Sequence, residues 1–170
     1  MEVRFRRAGL HDDTLTRSVV VDAFGAEGEE TAVFLDALRA DGCIVGEWLA
    51  EDPSGVIAHI AFSRVWLEDE DGKRQPAAML TPLSVRLDRQ RVGIGTRLME
   101  HALSELEKLG ETTFFVIGHP DYYPRAGFHA TRAADVESPW RGEPWFMVRA
   151  VANLKGRLLM PGSSPMLIDL

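Results

Sequence analysis

Arg89-Gln90-Arg91-Val92-Gly93-Ile94-Gly95-Thr96 is the stretch that decides how this chain is read. Two glycines one residue apart let the backbone turn with no Cβ in the way, so that successive N–H groups can face one concavity. From Ile94 the apolar residues fall at Leu98, Ala102, Leu106 and Leu109, a helical spacing. The loop therefore delivers its N–H groups to a helix N-terminus, where phosphate is favoured. Two rival glycine loops fail on the letters. A dinucleotide fingerprint from Gly93 needs a third glycine where Leu98 stands, and no Lys-Ser or Lys-Thr follows for a nucleoside-triphosphate loop.

Outward from that loop, local charge runs against the whole. The chain has 170 residues and a formal charge of -7, which argues against non-specific nucleic-acid binding, yet Arg86, Arg89, Arg91 and Arg97 crowd the loop with only Asp88 opposing. A positive island in an acidic protein suits an anion site. With 45% hydrophobic and 26% charged residues, the composition is that of an ordinary globular domain. At this length one core buries about two-thirds of the unfolded surface. No apolar run reaches membrane-spanning length and the N-terminus lacks an apolar signal core, so a cytoplasmic location and no membrane partner are expected. The single cysteine, Cys43, cannot form an internal disulfide, and it is expected to be buried and inert. No metal site is read.

The rest of the chain supplies alternating structure. Val3 and Phe5 predict a short strand. Asp12 and Asp13 are expected to cap a helix that carries Leu15, Val19 and Ala23 inward and ends at Gly25. A second helix over 27–40 places Val33, Phe34, Ala37 and Leu38 on one stripe, with Gly42 as its left-handed stop. Residues 43–49, 56–67 and 77–85 read as an antiparallel meander broken by turn clusters at 52–55 and 68–73. Pro82 lies in the third strand and cannot donate a ladder bond, so the sheet is expected to open or bulge there. After the loop helix, Gly110 is the stop. Residues 112–117 then return parallel to the strand at 77–85, and 144–150 give a last strand. Residues 153–170 form an extension expected to pack back on the sheet.

About thirty residues beyond the loop stands Tyr122-Tyr123-Pro124-Arg125-Ala126-Gly127-Phe128, after Gly118-His119-Pro120-Asp121. Gln90, two residues, Gly93, one residue, Gly95 resembles the pyrophosphate loop of the GNAT superfamily of acyl-CoA N-acyltransferases, and the tyrosine segment resembles that superfamily's aromatic-Tyr-x-x-x-Gly-Phe motif. Together with Leu80-Thr81-Pro82-Leu83-Ser84-Val85 the pair is similar to the YhbS-like bacterial branch. The resemblance covers roughly 2–150, with specific motifs only over 80–128. It implies an α/β (α+β) fold: a mixed, mostly antiparallel twisted sheet with a splayed parallel pair at its centre, flanked by helices. Residues 1–152 would form one acetyltransferase domain, with 153–170 as an extension of it.

The resemblance also implies acetyl-CoA, held between the strands ending near Val85 and Ile117. The backbone of Leu83, Ser84 and Val85 would pair with the pantetheine arm, with an N–H there for the developing oxyanion. Gln90 would mark the loop's entry, and Arg91, Val92, Gly93, Ile94, Gly95 and Thr96 would hold the pyrophosphate. Tyr123 would serve as general acid at sulfur, with Tyr122 and Phe128 packed around it. The family pattern is not complete here. No asparagine occurs between Thr112 and Phe128, Ala126 replaces a larger apolar residue, and the strand at 77–85 has no carboxylate. The general base is left open among His119, Asp121, Glu47, His59 and a water chain. The implied reaction is acetyl transfer from acetyl-CoA to a primary amine, small-molecule or peptide, by direct attack in a ternary complex. The alternatives are a non-catalytic acyl-CoA-binding regulatory module and a domain that binds neither. The resemblance allows a homodimer. The acceptor would be met by the two N-terminal helices, the loop at 68–75 and residues 140–145.

Overall fold

A computed structural model describes residues 2–161. Strand β1 (Arg4–Arg7) leads into helices α1 (Asp13–Phe24) and α2 (Gly28–Ala40), then into the meander β2 (Ile44–Asp52), β3 (Gly55–Glu68) and β4 (Arg74–Val85). Helix α3 (Ile94–Lys108) follows the glycine loop, and the chain closes with β5 (Phe114–Ile117), β6 (Asp135–Glu137), β7 (Phe146–Arg149) and β8 (Lys155–Leu159). The main sheet runs β1-β2-β3-β4-β5-β7, with β8 beside β3 and β6 beside β8. Within this main run the pair β4–β5 is parallel and its neighbours are antiparallel. This is the mixed, mostly antiparallel fold with a central parallel pair that the family resemblance implied.

Burial explains why β3 reads as an unbroken apolar run. Both of its faces are covered, one by α3 and the other by α1 and α2, so nearly every residue from Val56 to Val65 is buried. On the α3 face Trp48, Phe62 and Phe114 meet Leu98, Met99 and Leu103, and the rings of Phe62 and Phe114 stand edge to face. On the opposite face Phe34 and Leu38 of α2 pack with Met79, Phe115 and Trp140.

Several local expectations are corrected. Leu15, Val33 and Leu109 are exposed. In α1 the buried stripe is Thr16, Val19 and Val20, and in α2 it is Ala32, Phe34, Leu35 and Leu38, each turned by about one residue from the expected face. Asp12 does not cap α1 through its side chain. Its carboxylate accepts bonds from Arg6 and from the Gly9 N–H, organising the turn before the helix. Cys43 is half-buried and offers its thiol to the Asp41 carbonyl. Strands β6 and β8 had no clear signal. Each is short, and β8 occupies the edge of β3 at Trp66–Glu68, beyond the point where β2 has ended. Residues 162–170 of the expected extension lie outside the described residues.

Candidate active site

The site begins where β4 and β5 part. They pair only at Ala78 with Phe114 and Met79 with Phe115, after which β4 runs on to Val85 while β5 stops at Ile117. The departure has a local cause. Between Ile60 and Phe62 the register slips, so that Ala61 alone faces Thr81 and Pro82, a bulge at the residue with no N–H to give. Beyond it the Arg86 N–H donates to Ile57 on β3, and strand alternation then turns the amide groups of Val85 and Leu83 toward the gap. The Val85 carbonyl accepts from Gln90 Nε2 at 2.9 Å.

Backbone geometry shapes the loop. Arg91 has φ 64° and Gly93 φ 84°, the left-handed region, which is costly for an arginine and free for a glycine. Gly93 is the N-cap of α3, whose first backbone bond runs from the Arg97 N–H to the Gly93 carbonyl. The N–H groups from Ile94 to Thr96 have no partner inside the helix. Gly95 is required for a second reason: a Cβ there would lie 3.0 Å from Tyr122 Oη and 3.2 Å from Val85 Cγ2. The Tyr122 hydroxyl also bonds Thr96 Oγ1 at 3.1 Å, so the tyrosine segment leans directly on the glycine loop.

Those elements enclose a cavity of about 600 Å³. Leu83, Val85, Gln90, Arg91, Gly93, Ile94, Gly95, Thr96 and Tyr123 line it, so nine of the sequence-derived site residues are brought together. Two do not line it. Ser84 is 1% exposed, its amide facing His59 on β3, and Val92 is 65% exposed. Ala23, Phe24, Arg89, His119, Tyr122 and Arg125 complete the wall.

The four loop arginines are not equivalent. Arg86 is tied to Asp88, Arg89 to both Asp52 and Asp88, and Arg97 lies 5.2 Å over the Phe5 ring. Arg91 and Arg125 make no ion pair among the described residues. Arg125 is held by its Nε bond to the Tyr122 carbonyl and stacks 4.3 Å over that ring. Two uncompensated cations thus share a wall with a backbone cradle, an arrangement that favours a diphosphate.

Tyr123 sits at the inner end. Gly118 makes room for it, since a Cβ there would fall 2.3 Å from the ring, and Tyr122 and Phe128 hold it edge to face. Burial, aided by Tyr122, raises its pKa above the ordinary tyrosine value, so the phenol keeps its proton across neutral and mildly alkaline pH. Among the candidate bases only His119 lines the cavity. Glu47 and His59 are bound to each other at 2.7 Å and Glu47 to Arg39, away from the cavity on the α1 and α2 face. Burial lowers the His59 pKa. Burial would raise that of Glu47, but hydrogen bonds from His59 and Arg39 outweigh it and hold the carboxyl down at about 2. The loop at 68–75 and residues 140–145 lie elsewhere, and Trp140 is buried in the core.

A family model for the Acetyltransferase (GNAT) family matches residues 13–132, more than half of the chain. The chain belongs to the GNAT acetyltransferase family. The uncharacterized N-acetyltransferase YhbS of Escherichia coli (strain K12) is 30% identical over 129 residues, 75% of each chain. The uncharacterized N-acetyltransferase YjhQ of the same organism is 37% identical over 115 residues, 66% of this chain and 61% of that one. Among solved GNAT structures, an acetyltransferase from Brucella melitensis in complex with acetyl-CoA matches with a TM-score of 0.77 at 26% identity, over 95% of this chain and 97% of that one. YhbS from Escherichia coli in complex with CoA gives a TM-score of 0.80 at 24% identity, over 93% and 89%, a likeness of fold. Among the described residues no helix is long and apolar enough to cross a membrane, and no cluster of His, Cys, Asp or Glu could hold a metal ion.

Proposed function

We propose that this GNAT-family protein is an acetyl-CoA-dependent N-acetyltransferase of the cytoplasm, passing acetyl to a primary amine by direct attack while both substrates are bound. The observation that carries the reading is the continuity of one cavity from the Gly93–Gly95 cradle to Tyr123. When bound, acetyl-CoA supplies an activated thioester. The residues present fit it. Arg91, Arg125 and the N–H groups from Ile94 to Thr96 suit its diphosphate, and the gap-facing amides of Leu83 and Val85 suit the amide-bearing arm. The complexes of acetyl-CoA and CoA with the two structural relatives support the same assignment.

The chain's own groups then have defined tasks. Holding donor and acceptor together contributes about 7–11 kcal/mol, the largest contribution open to a site without a covalent nucleophile. Cys43 does not line the cavity, and Ser84 is sealed in the sheet, which supports direct attack. Tyr123, protonated through its raised pKa, donates toward the sulfur, and His119 takes the proton that the attacking amine must lose. Calorimetry with acetyl-CoA followed by a free-thiol assay over an amine panel tests this. Binding with amine-dependent thiol release is expected. Binding without release from any amine would leave a regulatory acyl-CoA module, and no binding would discard both.

A further inference from the structure

A second cavity, of about 380 Å³, lies beyond Tyr123 and shares Phe24, Leu83, His119 and Tyr123 with the first. Its remaining wall comes from Thr31 and Phe34 of α2, residues 79–82 of β4, and Ile117 and Gly118 at the end of β5. Among the described residues no Asp, Glu, Lys or Arg lines it, and its titratable groups are His119 and Tyr123. The size suits a small molecule. A direct attack needs a nucleophile arriving from a side that the CoA arm does not occupy, and this cavity opens at that junction.

We infer that the acceptor is a primary amine with an apolar, uncharged body, admitted as its free base. The inference rests on the acetyltransferase reading above. An ammonium ion moved from water to a wall of Phe24, Phe34, Met79, Leu80 and Ile117 would lose its hydration with no carboxylate to replace it. A carboxylate on the acceptor would meet the same penalty with no arginine or lysine on the wall. The neutral amine meets neither. Its nitrogen lone pair forms the C–N bond and the C–S bond breaks with its electron pair on sulfur; one N–H proton passes through His119 to solvent, while Tyr123 gives its proton to the sulfur and regains one from solvent. The products are the amide and free CoA thiol.

The test uses the full chain with saturating acetyl-CoA and reads thiol release. Benzylamine is the apolar probe, phenylalanine carries a comparable aromatic body with a carboxylate, putrescine carries a second ammonium, and a lysine peptide stands for protein acceptors. Benzylamine is expected to exceed each of the others at least tenfold in kcat/KM. For amines with a pKa near that of lysine, about 10.4, KM expressed as total amine should fall about tenfold per pH unit between pH 7 and 9. Over the same range kcat should change little. Thr31→Asp, which adds a carboxylate to the α2 wall, should shift preference toward putrescine by about tenfold while the acetyl-CoA affinity measured by calorimetry stays unchanged. Preference for phenylalanine, putrescine or the peptide would overturn the inference and leave the acetyltransferase intact, as would a KM independent of pH. Faster turnover of hexanoyl-CoA than of acetyl-CoA would assign the cavity to the donor's acyl chain and overturn it too. Absence of acetyl-CoA binding would remove the reading on which it stands.

Discussion

The two cavities on either side of Tyr123 are built by different means. The cavity proposed for the donor is made largely of backbone: Arg91 and Gly93 in the left-handed region, N–H groups at the start of α3 with no partner inside the helix, and the gap-facing amides of β4. The cavity proposed for the acceptor is made of side chains contributed by α1, α2, β4 and the end of β5. A backbone cradle needs particular residues at fixed offsets within a few positions. A side-chain wall needs only apolar residues that the fold happens to bring together.

The sharpest way to break this comparison is at Gly95. Gly95→Asp places a Cβ against Tyr122 Oη and Val85 and a carboxylate in the cradle, so acetyl-CoA affinity should fall more than about a hundredfold. Gly93→Asp should act similarly by straining the αL turn, with both variants retaining the fold by circular dichroism. Normal binding by either would move the diphosphate elsewhere. Next in size is Tyr123→Phe, which keeps the ring and removes the proton. Turnover should fall about a hundredfold, the lower end for a general acid because a thiolate is already a tolerable leaving group, while the Kd for acetyl-CoA barely moves. Turnover within threefold of wild type would reduce Tyr123 to packing. Because its pKa is raised, no alkaline loss of kcat from Tyr123 is expected below pH 10.

How far the site could be read from the letters follows from the same contrast. Gln90, Gly93 and Gly95 announce themselves because phosphate recognition by backbone constrains neighbours in sequence. Ser84 does not follow, since strand alternation hides every second residue and the letters over 83–85 do not say which edge is free. Phe24 carried no signal at all, being one apolar residue at a helix end. Arg125 could have been found, as a cation beside the tyrosine motif. Tyr122, read as packing, also anchors the loop through Thr96, so Tyr122→Phe should weaken acetyl-CoA binding by a few fold. The sheet itself was legible through Pro82 and the turn clusters, whereas β6 and β8 were too short to carry a period.

A third measurement addresses the ion pair buried between sheet and helix, away from the glycine loop. Glu47 and His59 join β2 and β3 to α2 through Arg39. His59 is held neutral when folded, so the unfolded chain takes up a proton first as pH falls below about 6.5, and stability declines from there. Glu47, depressed to about 2, adds stability above about 4.5 that is lost as pH falls toward 2. Thermal melts should therefore drop in two stages on acidification, and His59→Gln should remove the first. The smallest expected effect is at Arg91. Arg91→Gly relieves a left-handed backbone that costs an arginine about 1–2 kcal/mol, so Tm should not fall, while CoA affinity weakens a few fold and becomes less sensitive to salt.

The pairing of β8 with β3 has a further consequence for how the molecule behaves in a crowded solution. Gly156 has φ 140°, and a Cβ there would stand 2.6 Å from the Glu68 carbonyl, so Gly156→Val should lift β8 away. What remains is an unpaired strand edge at Trp66–Glu68, flanked by a tryptophan already 39% exposed. An edge of that kind recruits strands from other copies. The variant should keep its ligand affinity when dilute and aggregate as its concentration rises, a defect that activity assays at low protein concentration would not register.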